Sequence, residues 1–531
     1  MPECPFAQGI DAKETDVKNN IGLFLAKRAY LNPRLEAFID THSGRRFTFA
    51  ELDARANRTA NFLAAELGVR KGDRVGLLLM NSPEFMESFF AIAKLGAVCV
   101  PLNWRLVPDE LQFILKDAGA TVVIYGGEFG QTVGELELRG RGTDVAHWVH
   151  VGGEESRAKF ARSYDELQRA ASSESPEVTA CDDDLLYIMY TSGTTGLPKG
   201  AMHTHSTAMW GVMTIAATAE MRFKDRYLVS LPLFHVGALT PITGNVYRGV
   251  TSVVMRAFDP TKVWELIQSE KITVALKVPA MLNFMLQTYD PKKYDISTLR
   301  WIMSGAAPVP VTLIEAYAKL NIEIHQVYGL TESCGPACLI GPDEAIAKAG
   351  STGKAFFHTD VRVVDGQGRD IEAGQQGEVI IRGAHVMPGY WNRPDATAET
   401  IKNGWLHTGD VASIDKEGFI YIQDRMKDMV ISGGENVYPA EIENVILAHP
   451  KVAEVAVIGQ PSAKWGESAF AVVVKHDPSL TEREVLDWCN GKLARFKQPR
   501  GAAFIDVIPR NPSGKVLKRL LRDQFPGPAP E

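Results

Sequence analysis

Leu185-Leu-Tyr-Ile-Met-Tyr190 runs without a break into Thr191-Ser-Gly-Thr-Thr-Gly-Leu-Pro-Lys-Gly200. The first six residues are apolar and suit a buried strand. The ten that follow are a loop of unusual chemistry. Glycines let the backbone turn back and point its N–H groups inward, hydroxyls add further donors, and Lys199 adds a positive charge. Thr191, Ser192, Gly193, Thr194, Thr195, Gly196 and Lys199 are therefore expected to grip nucleotide phosphates. A flexible Ser/Thr/Gly turn is the bland alternative, but ten consecutive residues fit one purpose directly after a buried strand. The loop is not a Walker A motif. Pro198 stands where the second glycine belongs, and Gly200 follows the lysine in place of Ser or Thr.

Outward from this point the chain alternates short apolar strands and amphipathic helices through its first four hundred residues. Arg74–Met80 reads as a buried strand. Ser82, Pro83 and Glu84 are an N-cap, a first-turn proline and a first-turn acid. The helix then runs to about Lys94 and stops at Gly96, and Ala97–Pro101 is the next strand. The same rhythm recurs near 121–125, 226–233, 272–278, 299–303 and 322–327, which predicts an α/β fold with mainly parallel sheets. Residues 135–178, rich in Gly, Ser and charge, read as a surface excursion. The last hundred residues differ. Glu417–Ile422, Val452–Ile458, Ala469–Val474 and Phe504–Ile508 read as strands, Pro439 opens a helix, and Thr481 with Glu484 makes a capping-box pair. This is a small α+β lobe. A boundary near Asp424–Lys427 divides the chain into 1–424 and 425–531.

The bulk properties bound the function. The 531 residues carry 57 Lys and Arg against 64 Asp and Glu, a net charge of -7 that offers no basic surface for nucleic acid. Six cysteines are too few for a disulfide scaffold. Cys334 and Cys338 lack a second Cys/His pair to complete a zinc site, so thiols idle in a reducing compartment are expected. The first residues form no apolar signal segment, and no run reaches the ~18 apolar residues of a membrane span. A cytoplasmic enzyme is the expectation.

The loop and five further segments resemble the adenylate-forming superfamily of acyl-CoA synthetases, peptide-synthetase adenylation domains and luciferases. The likeness runs in order from about residue 20 to residue 520. Within the superfamily the chain is most similar to bacterial fatty-acid–CoA ligases of the mycobacterial type, through IMYTSGTTGLPKG, LTESCG, DMVISGGENVYPAEIE and IPRNPSGKVLK.

The resemblance implies a large N-terminal AMP-binding lobe and a small mobile C-terminal lobe, hinged at Lys427. It implies ATP, Mg²⁺ and CoA as cofactors. In Gln326–Glu332 it places Gln326, Tyr328, Gly329 and Thr331 at the nucleotide, Thr331 against the phosphate, and Glu332 on Mg²⁺. In Ser304–Pro308 it places Gly305, Ala306 and Ala307 beside adenine; relatives more often have a glycine where Ala306 stands. It gives Asp410 and Arg425 the ribose, Lys515 the role of mobile catalytic lysine, and Gly433 and Gly434 a loop that swings in to line the thiol tunnel. It puts His235, Val236, Gly237, Lys277, Pro279, Met281, Ser304, Gly305 and Gly329 around the acid. Met281, Met285 and Met303 suit the lining of such a pocket, with core packing as their default reading. Gly305 and Gly329 are expected to leave room for an extended chain.

The implied reaction is acid activation by ATP to acyl-AMP and pyrophosphate, followed by transfer to CoA. A medium- to long-chain fatty acid is the expected substrate. An aryl or other apolar acid, or adenylation without CoA, is the alternative. Peripheral contact with a membrane and a homodimer belong to the same set of expectations.

Overall fold

The computed structural model describes residues 19–191, 198–307, 309–425, 428–432, 435–462, 465–490, 492–493, 495, 497–510 and 516–527. Among them the strands form four sheets. The first has seven strands in the order Arg162–Ser163, His147–Val151, Ala120–Gly126, Arg74–Leu78, Val98–Pro101, Leu185–Thr191 and Lys199–Thr204. All neighbours are parallel except the last pair, an antiparallel hairpin. The second has nine, and its central six, from Glu323–Tyr328 across to Glu36–Asp40, are parallel.

Local sequence explains the parallel rhythm. Ser82 Oγ accepts from the Phe85 N–H at 3.3 Å, and Pro83 starts the helix Pro83–Leu95. Gly96 ends it at φ 66°, a left-handed conformation that glycine adopts without a Cβ clash. Nearly every residue of this helix is buried, because it lies in the core between the two large sheets. That core joins Val75, Leu77 and Tyr187 of the seven-stranded sheet to Val229, Val274, Trp301 and Met303 of the nine-stranded one. The opposite face of the nine-stranded sheet carries Leu228, Ala275, Ile302 and Ile324. They pack under Trp264, Leu282, Met285, Ile314 and Tyr317 from the helices Pro260–Ser269, Pro279–Thr288 and Val311–Ala318.

Three expectations are corrected. Residues 135–178 are not a surface excursion. His147–Val151 joins the seven-stranded sheet, and Trp148, Tyr164 and Gln168 are buried. The Tyr164 hydroxyl meets Thr59 Oγ1 at 2.7 Å, and Gln168 donates to the buried Glu87 carboxylate at 2.7 Å. A few large side chains anchor a segment whose polar residues are short turns. The alternation of strand and helix also ends before residue four hundred. Asp360–Val364, Gln376–Arg382, Trp405–Ile414 and Ile420–Arg425 form an antiparallel sheet with Ile401–Lys402. Its strands are half-buried, so their apolar residues are too sparse to stand out as continuous runs. The last strand is Gly501–Phe504, ahead of the expected Phe504–Ile508. Small residues, Gly-Ala-Ala, pair there with Phe470–Val472 and draw the strand to them.

After Arg425 the strands pair only with one another among the described residues. Val430–Ser432, Glu435–Val437, Val452–Ser462, Gly466–Lys475 and Gly501–Phe504 make the fourth sheet, with its own core. The capping box at Thr481 is present: Glu484 Oε2 accepts from the Thr481 N–H at 2.9 Å, and Thr481 Oγ1 accepts from the Glu484 N–H at 3.3 Å. Among the described residues no helix is long and apolar enough to cross a membrane.

Candidate active site

Parallel strands bring their carboxyl ends to one edge of a sheet, and ligands of open α/β sheets lie in the crevice beyond that edge. Ser304, Tyr328 and the hairpin end at Thr191 all sit at such ends. Thr191 pairs with Lys199 across the hairpin, and Thr191 Oγ1 donates to the Lys199 carbonyl at 3.4 Å. Ser192, Gly193, Thr194, Thr195 and Gly196 lie outside the described residues.

The hairpin is held against the segment Gly389–Trp391. Trp391 donates its N–H to Gly200 O at 2.8 Å, and Met202 donates to Gly389 O at 3.0 Å. Between these contacts Tyr390 bridges two expected site residues. The Lys199 ammonium lies 5.4 Å from its ring centroid, and its hydroxyl donates to Glu332 Oε1 at 2.7 Å. A cation over an aromatic face is attracted by the ring quadrupole. Tyr390 thus stands between the Lys199 cation and the Glu332 carboxylate and touches both. The sequence reading missed it, although Pro388-Gly-Tyr-Trp391 is a compact aromatic turn that could have drawn attention.

The turn that follows the strand Glu323–Tyr328 is fastened at four successive carbonyls. Thr331 O accepts from His203 Nε2 at 2.7 Å, and Glu332 O from the Met387 N–H at 2.8 Å. Ser333 O accepts from His385 Nδ1 at 2.8 Å, and Cys334 O from Thr240 Oγ1 at 2.9 Å. Cys334 has φ 57°, so the chain reverses there in a left-handed conformation. Neither histidine was foreseen as part of the site.

Tyr328 Oη donates to Asp410 Oδ2 at 2.7 Å, joining the end of one sheet to the antiparallel sheet. Burial, reinforced by Asp410, pushes the Tyr328 hydroxyl well above the usual tyrosine range, so it stays a donor. Asp410 is itself buried and stands opposite Arg425 in register. Ala306 has φ 68°, a left-handed conformation that glycine adopts more easily than alanine. An alanine in it is strained by roughly 1–2 kcal/mol.

The expected acid pocket is divided by the structure. His235 is half-buried, with its ring 4.5 Å from Phe234 and a buried Nε2 that has no partner among the described residues. Burial and the nearby Arg105 push its pKa down to about 3, so it is neutral. Val236 and Gly237 open the helix Val236–Arg248 behind it, and Pro279 opens Pro279–Thr288, which carries Met281. Met281 and Met303 pack on the inner core, whereas Met285 is on the far face of the sheet.

Lys277 and Ser304 also belong to that far face. Lys277 stands opposite Ser304, and Ser304 opposite Gln326, continuing the rows Ala275, Ile302 and Ile324 by one alternation. An apolar layer thus becomes polar at its last row. Ser304 Oγ and Gln326 Nε2 are buried without partners among the described residues, and Lys277 Nζ reaches only Leu228 O, at 3.4 Å. Burial alone pushes the Lys277 pKa down to about 7. Lys277 and Ser304 therefore do not share a wall with Met303. Gly305 and Gly329 do not open room for a chain either. A Cβ on Gly329 would lie 1.4 Å from Gly335 O, and one on Gly305 2.3 Å from Val327 O. Backbone already fills both spaces.

Pro308, Lys427, Gly433, Gly434 and Lys515 lie outside the described residues, and Arg425 is described only as backbone in its strand.

The sequence matches the AMP-binding enzyme family over residues 25–391 and the AMP-binding enzyme C-terminal domain over residues 441–515. The long-chain-fatty-acid–CoA ligase FadD13 of Mycobacterium tuberculosis is 46% identical over 514 residues, 96% of this chain and 100% of that protein. A feruloyl-CoA synthase from an Amycolatopsis species is 39% identical over 507 residues, 95% of this chain and 99% of that protein. Among solved structures, the anthranilate CoA ligase AuaEII in complex with anthranoyl-AMP superposes with a TM-score of 0.89 at 28% identity, covering 96% of this chain and 98% of that one.

Proposed function

The chain belongs to the AMP-binding enzyme family, and we propose that it is an ATP-dependent acid–CoA ligase for an apolar acid, foremost a medium- to long-chain fatty acid. The observation that carries this reading is the meeting of Lys199, Glu332 and the Thr331 turn around Tyr390, with Asp410 tied to the same strand through Tyr328.

The chemistry asks for little more. A carboxylate is a poor acyl donor because its leaving group would be oxide. Attack of a carboxylate oxygen on the α-phosphorus forms a P–O bond and releases pyrophosphate. The thiol of CoA then adds to the carbonyl carbon, the C–O bond breaks, and AMP departs. Both steps need positioning and charge neutralisation more than a protein nucleophile. Lys199 supplies positive charge at the hairpin, and Asp410 suits a ribose diol. Glu332 has a second carboxylate oxygen besides the one held by Tyr390, and Mg²⁺ is commonly held by one or two carboxylates completed by phosphate oxygens and water. Glu332 would hold that ion, which would neutralise phosphate charge.

The division into lobes 1–424 and 425–531, turning at Lys427 between the two half-reactions, belongs to the same proposal. It is supported by strands that, among the described residues, pair only with one another after Arg425 and by two separate family matches. The fatty acid is favoured by the 46% identity to a fatty-acid ligase, the aryl acid by the relatives that act on feruloyl and anthranoyl groups. Thioester formation from octanoate through stearate, ferulate and anthranilate separates them. Fatty acids should lead in kcat/KM by about tenfold or more, the discrimination an apolar pocket can supply. Faster turnover of the aryl acids would move the assignment to them.

A further inference from the structure

His203 and His385 grip the carbonyls on either side of Glu332. A carbonyl oxygen can only accept, so the gripping nitrogen of each ring carries a proton. Both rings are buried, at 0% exposure, and neither has a carboxylate partner among its hydrogen bonds. The second nitrogen of each must then accept, since a second N–H would make a buried, unpaired cation. At His203 that acceptor is Nδ1, 3.2 Å from Thr207 Oγ1, whose one proton is shared with the Thr204 carbonyl at 3.1 Å; at His385 it is Nε2, 2.8 Å from Thr359 Oγ1. The two rings are therefore held in opposite tautomers, His203 with its proton on Nε2 and His385 with its proton on Nδ1.

Their places in the fold give the grip a purpose. His203 lies on the strand Lys199–Thr204, four residues after the lysine at the phosphate hairpin. His385 lies on the segment that also supplies Met387 N–H to Glu332 O and the Tyr390 hydroxyl to the Glu332 carboxylate. One ring ties the turn to the hairpin and the other ties it to the segment covering it.

We propose that His203 and His385 are positioning residues for the adenylation step, a tautomer-matched pair that holds the Thr331–Glu332–Ser333 turn in register with the phosphate hairpin. This rests on the ligase reading. Neither ring touches substrate; both act through the turn. Fixing a metal-binding carboxylate from behind is typically worth 10–100-fold in metal affinity or activity.

The side-chain amides test the tautomers one at a time. A glutamine amide nitrogen reaches the position of Nε2, and an asparagine amide nitrogen that of Nδ1. In the full-length protein, acid-dependent ATP–pyrophosphate exchange is measured against Mg²⁺·ATP for His203→Gln, His203→Asn, His385→Asn and His385→Gln, beside thioester formation from supplied acyl adenylate and the thermal midpoint. His203→Asn and His385→Gln should each lose about 10–100-fold in kcat/KM for exchange. His203→Gln and His385→Asn should retain most of it, and thioester formation should hold in all four. Equal retention by both amides at each position, losses that merely follow the thermal midpoint, or equal loss of the thioester step would overturn the pair. Wild-type protein that exchanges pyrophosphate with no acid would overturn the ligase reading and this inference together.

Discussion

Lys277→Met stabilises the folded protein by roughly 3–5 kcal/mol at pH 7, and the gain shrinks as the pH rises toward the ordinary lysine value of 10.5. Lys277 is fully buried among the ends of three strands, and among the described residues its ammonium meets only one long hydrogen bond. Burial holds its folded-state pKa at about 7, below the unfolded value of 10.5. Between those two pH values the unfolded chain binds more protons than the folded one, so stability rises with pH through that window. Below pH 7 both states are protonated, and the full cost of burying the charge remains. Methionine keeps the unbranched stem and removes the ammonium. Thermal or urea unfolding of the two proteins from pH 6 to pH 10 measures this. A methionine variant that is less stable, or a difference that does not change with pH, would show that Lys277 has a partner in solution that compensates its charge.

Lys515→Ala removes most adenylation, by about 10²–10³-fold, and leaves thioester formation from a supplied acyl adenylate within a few-fold of wild type. The range is that for deleting one fixed donor at a site of developing charge. The position comes from the resemblance of Pro512-Ser513-Gly514-Lys515 to the family's mobile lysine and lies outside the described residues. A cation near the carboxylate and the α-phosphate stabilises attack on phosphorus, and it has no such task when the thiol attacks the finished adenylate. Single-turnover assays of each half-reaction separate the two. Equal loss in both would make Lys515 a general structural residue, and unaffected adenylation would remove it from the site.

Much of the parallel architecture is legible from local signals. Arg74–Leu78, Pro83–Leu95 and Val98–Pro101 follow from an apolar run, a capped helix and a stopping glycine. The antiparallel sheet of Asp360–Arg425 is not legible in the same way, because its strands are half-exposed and their pairing is non-local. The site divides similarly. Lys199 sits in a loop whose residue types suit phosphate, whereas Thr331, Glu332 and Asp410 are singled out only through the family resemblance of the short motifs around them. Tyr390, His203 and His385 act through partners 52 to 191 positions away, and nothing beside them in sequence marks those partners. The glycine misreading has one cause. Gly329 is small because Gly335 approaches it from six residues on, a contact that residue type alone attributes equally well to a ligand.

The account rests on the formation of an acyl adenylate, and an isotope in the acid's own carboxylate reports it directly. Full-length protein is incubated with ATP, Mg²⁺, CoA and an accepted acid carrying ¹⁸O in both carboxylate oxygens, and the nucleotide product is weighed by mass spectrometry. If the carboxylate attacks the α-phosphorus and AMP later leaves with the bridging oxygen, the AMP carries one ¹⁸O, the thioester retains one, and pyrophosphate carries none. Formation of ADP with ¹⁸O in inorganic phosphate, or of AMP without label, would contradict the account.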